Sequence, residues 1–306
     1  LSIRRQRQMC IRDRDTCTVL SRNVVVGVGT IPFIPAELRA APEAGLAVHS
    51  ADYLEHKEEL LAQESVTIIG SGQSAAEIYA NLMEPAAYQG TRLDWVTRSG
   101  RFFPMEYTKL TLEMTSPEYA QFFRGLDAAT RDRLNREQRN LYKGISGQLV
   151  NHIYDTYYRL SITKGLPRPF ASTLLAGWSA ALCDADASAP FQLTLTHGET
   201  GETRTHATNA LVLATGYKAP LFPSFLETAR EEVQFDTAGR LAIDPEFAID
   251  AAQSLFVQNA EEHLHSLIAP DLGMGPWRNS IILKAITGRE YYPIERSVAF
   301  QTFGGQ

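Results

Sequence analysis

Gly70-Ser71-Gly72-Gln73-Ser74-Ala75 is a G-x-G-x-x-A run, and the chemistry of that spacing is the capture of a dinucleotide pyrophosphate. The first glycine permits a tight turn. The second lets backbone approach phosphate oxygens, and the small third residue lets a helix pack closely on a strand. The N–H groups at the start of that helix then face the phosphates. Arg98 follows 23 residues after Ala75, where dinucleotide units that take NAD commonly carry an acid for the ribose hydroxyls. A cation there, with Arg101 close by, suits a 2′-phosphate and so favours NADPH over NADH; a solvated surface arginine is the alternative. Asp94 lies earlier in the same segment and is less well placed.

Leu211 to Tyr217, LVLATGY, is an apolar run closed by Gly216. That glycine could admit a cofactor or make a strand-to-loop turn. His263 and His265 have no cysteine or further histidine at ligand spacing, so a packed or site-lining role is expected and a metal is not. There is no G-x-S-x-G, no H-E-x-x-H and no kinase-like set.

The elements that must position these residues are legible in part. Ser65 to Ile69 reads as a strand, Ala75 to Met83 as a helix and Leu93 to Thr97 as the next strand, giving βαβ and the start of a doubly wound domain. Asn23 to Gly29 reads as a buried strand. His49 to Leu61 reads as a turn and short helix, and Phe102 to Thr115 as a long aromatic loop with a functional role. Pro117 to Leu160 reads as mostly helical, with breaks near Gly125 and Gly144. Phe191 to Thr196 and Thr203 to Ala207 form a hairpin. Ala210 to Ala214 and Ser254 to Gln258 are further strands, and Pro276 to Thr287 is the last helix, with proline in its first turn.

The chain has 306 residues, a formal net charge of -6 and 44% hydrophobic residues. No run approaches the ~20 apolar residues of a membrane span. No basic face suggests nucleic acid. Three cysteines without a CxxC pair fit a reducing cytoplasm. Residues 1–14 differ from the rest: Arg4, Arg5, Arg7, Arg12 and Arg14 face one acid, Asp13, with no helical or strand period. They read as translated adapter or junction sequence, with a genuine basic arm as the competing reading.

Several separated blocks resemble one family. GSGQSAAEI (Gly70 to Ile78), WVTRSGRFFPMEYTKLTLEM (Trp95 to Met114), LYKGIS (Leu141 to Ser146), LATGY (Leu213 to Tyr217) and RNSIIL…GREYYPIE (Arg278 to Glu295) together resemble the flavin-dependent N-hydroxylating monooxygenases of siderophore biosynthesis. The FFP…KLTLEM and YKGIS blocks look more like the lysine, putrescine and cadaverine hydroxylases than the ornithine enzymes. The resemblance implies an α/β fold of two interleaved Rossmann-like domains, with the FAD domain incomplete and the NADPH domain inserted in it. Residues 15–62 would be a remnant of the FAD domain, 63–208 the NADPH domain with a helical insert, and 209–306 the return to the FAD domain.

It implies FAD and NADPH as cofactors. NADPH would reduce the flavin, oxygen would add at C4a, and the hydroperoxide would pass its distal oxygen to a neutral amine of lysine or a diamine. Gly70, Gly72, Gln73, Ser74 and Arg98 would bind NADPH or back its pyrophosphate, and Gly216 would approach a cofactor. His265, Asn279 and Ser280 would lie near the flavin, and Lys109 and Lys143 would line the substrate pocket. The partners would be an amine and O2, with homo-oligomers common in the family.

Departures are visible. The usual Thr-His-Gly is Leu264-His265-Ser266, and the usual aspartate before LATGY is Asn209. Leu112 and Leu141 stand where ornithine enzymes carry asparagines, so those contacts do not transfer. The family's own glycine-rich FAD unit does not occur upstream of Asn23, so the chain as written is expected to be poorly stable, weak in FAD binding and inactive. Another two-dinucleotide flavoprotein, or a non-catalytic NADPH-binding module, are the competing functions. A hydroxylamine product would separate the first of these, and NADPH affinity without flavin affinity the second.

Overall fold

Ser65–Ile69 is buried at every position, so neither of its faces can meet water. That pattern demands a central strand with apolar layers on both sides. The structure, a computed structural model, describes residues 2–5, 17–183, 190–220 and 222–304, with side chains from residue 20 onward. It places Ser65–Ile69 in the middle of a five-stranded sheet. The order is Ala47–His49, Ala210–Leu213, Ser65–Ile69, Arg92–Thr97, Leu174–Ala176, and every pairing is parallel.

Side chains alternate across this sheet. Val66, Ile68, Leu93, Trp95 and Val212 join a core with the helices Tyr53–Leu61, Gln73–Gln89 and Gly147–Ile162. Ile69, Val96, Leu211 and Leu213 face the other way, onto Phe191, Leu193 and Leu195. Those three belong to an antiparallel sheet of Thr203–Thr208, Phe191–His197 and Trp178–Leu182. Helices therefore cover one face and a second sheet the other. The parallel sheet and its βαβ unit are those of a Rossmann-like domain.

The helix Gln73–Gln89 runs past the expected end at Met83. Pro85 sits inside it and removes one backbone bond. Burial of Ala86 and Ala87 outweighs that loss, and Gly90 in a left-handed turn (φ 77°) ends the helix.

The chain divides into two compact units. One comprises Pro32–Glu106 and Arg139–Lys218; the other comprises Leu1–Ile31, Tyr107–Gln138 and Ala219–Gln306. The expected boundaries at 62/63 and 208/209 differ from this division. Ala47–His49 and Ala210–Leu213 pair side by side in the sheet of the glycine turn, which binds both segments to that unit. The helical stretch 107–138 belongs instead to the other unit.

In that other unit, Val24–Val26 pairs in parallel with Leu255–Val257. The strand is shorter than the expected Asn23 to Gly29, and Val25 is half exposed. The unit's core gathers Val26, Leu226, Phe247, Phe256 and Ile282. The helices Pro117–Gly125 and Ala128–Glu137 begin at Ser116 and Asp127, whose side chains accept N–H bonds from Tyr119 and Thr130. Residues 1–14 were expected to hold no strand; Ser2–Arg5 nonetheless pairs with Cys17–Leu20, and the rest of that stretch lies outside the described residues. Among the described residues no helix is long and apolar enough to cross a membrane.

Candidate functional site

At the carboxyl end of Ser65–Ile69 the two glycines do different work. A Cβ on Gly70 would lie 2.2 Å from the Ala214 carbonyl oxygen, so no side chain fits. Its N–H donates to Val96 (3.0 Å) and its carbonyl accepts from Trp95 Nε1 (2.8 Å). Gly70 thus closes the turn and has no group left for a ligand. A Cβ on Gly72 would meet nothing within 4 Å, so this is the face open to one. Gly72 also caps the helix Gln73–Gln89, whose first turn has no side-chain cap and no acid. The N–H groups of that turn are free for an anion. Ala75 is fully buried and sets the close helix–strand contact.

Gln73 is placed in the turn, but both ends of its amide are committed. Its Oε1 accepts from Ser146 N–H (2.8 Å) and its Nε2 donates to Glu77 (2.9 Å). It is therefore a tie between the helix and the YKGIS segment rather than a free ligand contact. Ile145 in turn exchanges backbone bonds with Phe103 and Met105. A Cβ on Gly144 would sit 2.9 Å from Met105 N. Phe102 packs on Trp95 with centroids 4.4 Å apart. The glycine turn, the FFP segment and the YKGIS segment are thus assembled around one point.

Ser74 and Arg98 are exposed beside this turn, and Arg98 makes no hydrogen bond or ion pair with any described residue. Asp94 is only 1% exposed. Its carboxylate accepts from Arg92 Nε and the Thr173 N–H, both at 2.9 Å, so it is not available to a ribose. Gly216 has φ +87° with open space at its Cβ position. Its carbonyl accepts from Phe33 N–H (3.0 Å) and lies 3.0 Å from His49 Nε2. The glycine is required by a left-handed turn, not by a close approach.

In the other unit His265 is 3% exposed. Arg124 Nη1 lies 3.2 Å from its Nε2. A guanidinium can only donate, so Nε2 accepts and the ring proton sits on Nδ1. Burial, then Arg124, Arg278 and His263, push the His265 pKa down to about 3, which keeps the ring neutral. Its Nδ1 is buried with no partner among the described residues. Phe247 holds the ring edge-on at 5.0 Å. Beside it in sequence, His263 is tied to the Leu241 carbonyl (2.9 Å). No group of three metal-binding side chains occurs among the described residues.

The helix Gly275–Thr287 also starts without a side-chain cap. Asn279 accepts from Gln258 Nε2, and Ser280 Oγ donates back to the Pro276 carbonyl (2.9 Å) within its own helix. Sequence reasoning missed Arg278 and Glu261. They face each other at 3.6 Å while 2% and 0% exposed. Arg278 also donates to the Ile268 and Asp271 carbonyls and to Asn259 Oδ1, fixing the loop that carries His265. Burial raises the Glu261 pKa to about 7, with Arg278 opposing. The only signal in the sequence was a charged residue inside an apolar helix.

Lys109 is the first residue of the short helix Lys109–Leu112, which a Thr108–Thr111 capping box starts. Lys143 is in the unit of the glycine turn, with Nζ 4.9 Å from the Tyr142 ring. Both are exposed, and they fall in different units.

A model of the L-lysine 6-monooxygenase/L-ornithine 5-monooxygenase family matches residues 3–219. A putrescine N-hydroxylase of Shewanella oneidensis is 42% identical over 94% of this chain and 56% of its own length. An alcaligin biosynthesis enzyme of Bordetella pertussis is 41% identical over 92% of this chain and 60% of its own. A crystal structure of a cadaverine monooxygenase of desferrioxamine biosynthesis from Erwinia amylovora, bound to FAD, superposes with a TM-score of 0.88 at 42% identity, over 96% of this chain and 67% of that one. The chain thus spans 56% of the first of these curated relatives and 60% of the second.

Proposed function

The chain belongs to the L-lysine 6-monooxygenase/L-ornithine 5-monooxygenase family, and from that membership we propose that it serves the NADPH- and FAD-dependent N-hydroxylation of a terminal primary amine, lysine or a diamine, for a hydroxamate siderophore. The observation that carries this reading is the assembly of the glycine turn with the FFP and YKGIS segments through Gln73, Ser146, Ile145 and Met105. The names of the relatives, a putrescine hydroxylase and a cadaverine monooxygenase, favour a diamine.

We assign the unit of Pro32–Glu106 and Arg139–Lys218 to NADPH. The open N–H groups at Gly72 and Gln73–Gln89 would take its pyrophosphate, Ser74 would contact it, and Arg98 would meet the 2′-phosphate. The other unit we assign to FAD. An uncapped helix start at Gly275 and a buried, unpartnered His265 N–H fit a polar, anionic cofactor. Bound together, NADPH and FAD would supply the reducing equivalents and the activated oxygen.

The chain's own part is to bind, orient and exclude water. His265 stays neutral at the flavin and donates from Nδ1 without gaining charge. The amine must reach the reaction unprotonated, against a free pKa of ~10.4. A water-poor pocket disfavours its charged form, and a nearby Lys109 or Lys143 would add like-charge repulsion in the same direction. No side-chain nucleophile is required. The partners are the amine and O2. A homo-oligomer and a cytoplasmic location belong to the same reading.

The test is a panel of putrescine, cadaverine and lysine offered to the full protein with NADPH, FAD and oxygen, with hydroxylamine formation as the readout. One amine should give hydroxylamine in step with NADPH consumption. NADPH consumption that yields only hydrogen peroxide with all three amines would overturn the proposal.

A further inference from the structure

Four consecutive backbone N–H groups are captured by two carboxylates. Glu118 Oε1 accepts from both Val298 and Ala299 N–H. Glu113 accepts from Phe300 N–H at Oε1 (3.0 Å) and from Gln301 N–H at Oε2 (2.9 Å). Successive N–H groups turned toward one point make an anion-binding concavity, and here two such concavities stand in tandem. The same segment continues the grip. Gln301 Nε2 donates to the Leu110 carbonyl. Phe303 meets the Tyr119 ring edge-on at 5.1 Å. A Cβ on Gly304 would lie 2.9 Å from the Phe122 ring.

All of these partners are on 110–122, the stretch that opens with the helix of Lys109. That helix, Lys109–Leu112, is only four residues long and buries none of its side chains. A single exposed turn has little stability of its own, so its place must be set from outside. Hydrogen bonds to charged acceptors are about twice as strong as neutral ones. The bond from Phe300, together with those from Gln301, outweighs the opposing effect of burial and holds the Glu113 pKa below the usual range. Burial acts to raise that of Glu118, but the bonds from Ala299 and Val298 outweigh it. Both side chains are therefore anions at neutral pH.

We propose that 298–303 is a strap that fixes the Lys109 helix, and that Glu113 and Glu118 are positioning residues for the amine pocket. The link to the amine rests on the function proposed above; the strap itself does not. The two glutamates differ in a way that can be tested. Glu118 takes both of its N–H groups on one oxygen, so glutamine can keep both. Glu113 uses its two oxygens separately, so glutamine must turn an NH2 group toward one donor.

The experiment is hydrogen exchange at 109–112 and 298–301 in the full protein, comparing wild type, E113A, E113Q and E118Q. Losing a bond to Glu113 should speed exchange at both segments about tenfold in E113A and E113Q, while E118Q, which keeps both bonds in neutral form, should speed it by less. Faster exchange at 298–301 with none at 109–112 would overturn the proposal, as would equal behaviour of E113Q and E118Q. In E113A and E113Q the amine KM should rise about tenfold while the NADPH KM stays within about twofold. An unchanged amine KM in an enzyme that does hydroxylate amines would also overturn it. If wild type hydroxylates no amine, the functional reading fails, and the exchange comparison still decides the strap.

Discussion

Arg98 and Gly70 illustrate how far a single residue can be argued. Arg98 is exposed at the end of Arg92–Thr97, with no partner among the described residues. If it meets the 2′-phosphate, Arg98→Ala should raise the NADPH KM by about ten- to a hundredfold, the worth of a charge-assisted bond. The NADH KM should hardly change. Steady-state kinetics with both cofactors check this, and equal losses for both would remove Arg98 from the site. Gly70→Ala pushes a methyl group against the Ala214 carbonyl. Overpacking of that kind costs about 1–3 kcal/mol, so thermal melts should show a lower Tm even without cofactor. An unchanged Tm would contradict the packing described. The G-x-G-x-x-A spacing located this turn from sequence alone. It could not say that Gly70 is required by Ala214, because that contact joins positions far apart in the chain. Nor could it say that Gln73 is spent on Ser146.

Among the elements, the helix Gln73–Gln89 makes the sharpest prediction. Its first turn lacks both cap and acid. Ser74→Asp would add a negative charge that favours the helix dipole by a few tenths of a kcal/mol and repels a phosphate. The variant should therefore melt no lower than wild type while its NADPH KM rises at least about tenfold. Melting and cofactor titration check the two halves. A variant that still binds NADPH normally would place the pyrophosphate elsewhere. The five buried positions of Ser65–Ile69 and the apolar spacing of the following helix made these two elements legible. Leu174–Ala176 and Trp178–Leu182 were not, because Gly177 at φ +81° breaks one apolar run into two short strands of different sheets. Ala47–His49 has three residues, too few to show a period. Arg278 and Glu261 escaped notice because their burial and pairing are created by tertiary packing, which a lone charged residue inside an apolar helix does not reveal.

At the scale of the whole molecule, two buried groups should shape the dependence of stability on pH in opposite directions. His265 has a folded pKa of about 3 against 6.5 when free. Below 6.5 the unfolded chain binds a proton that the folded one refuses, so stability falls as pH drops, by about 1.4 kcal/mol per unit. Glu261 is raised to about 7 from 4.5. Its contribution is complete below 4.5 and is lost as pH rises toward 7. Between 4.5 and 6.5 the two oppose each other. His265→Gln should then flatten or reverse the loss of Tm on going from pH 7 to 5, while Glu261→Gln should steepen it. Melts of the three proteins across that range check both signs, and parallel curves would contradict the burial described. The chain divides into two units, and their boundaries are not legible in the sequence, because strand pairing between 47–49 and 210–213 is decided by the sheet and not by sequence proximity. One oxygen atom should pass from O2 to an amine nitrogen. The most direct test is to supply the full protein with NADPH, FAD and 18O2, with putrescine, cadaverine and lysine in turn, and weigh the product. One amine should return N-hydroxylated and carrying one heavy oxygen. All three amines recovered unmodified alongside fully consumed NADPH would contradict the proposed function.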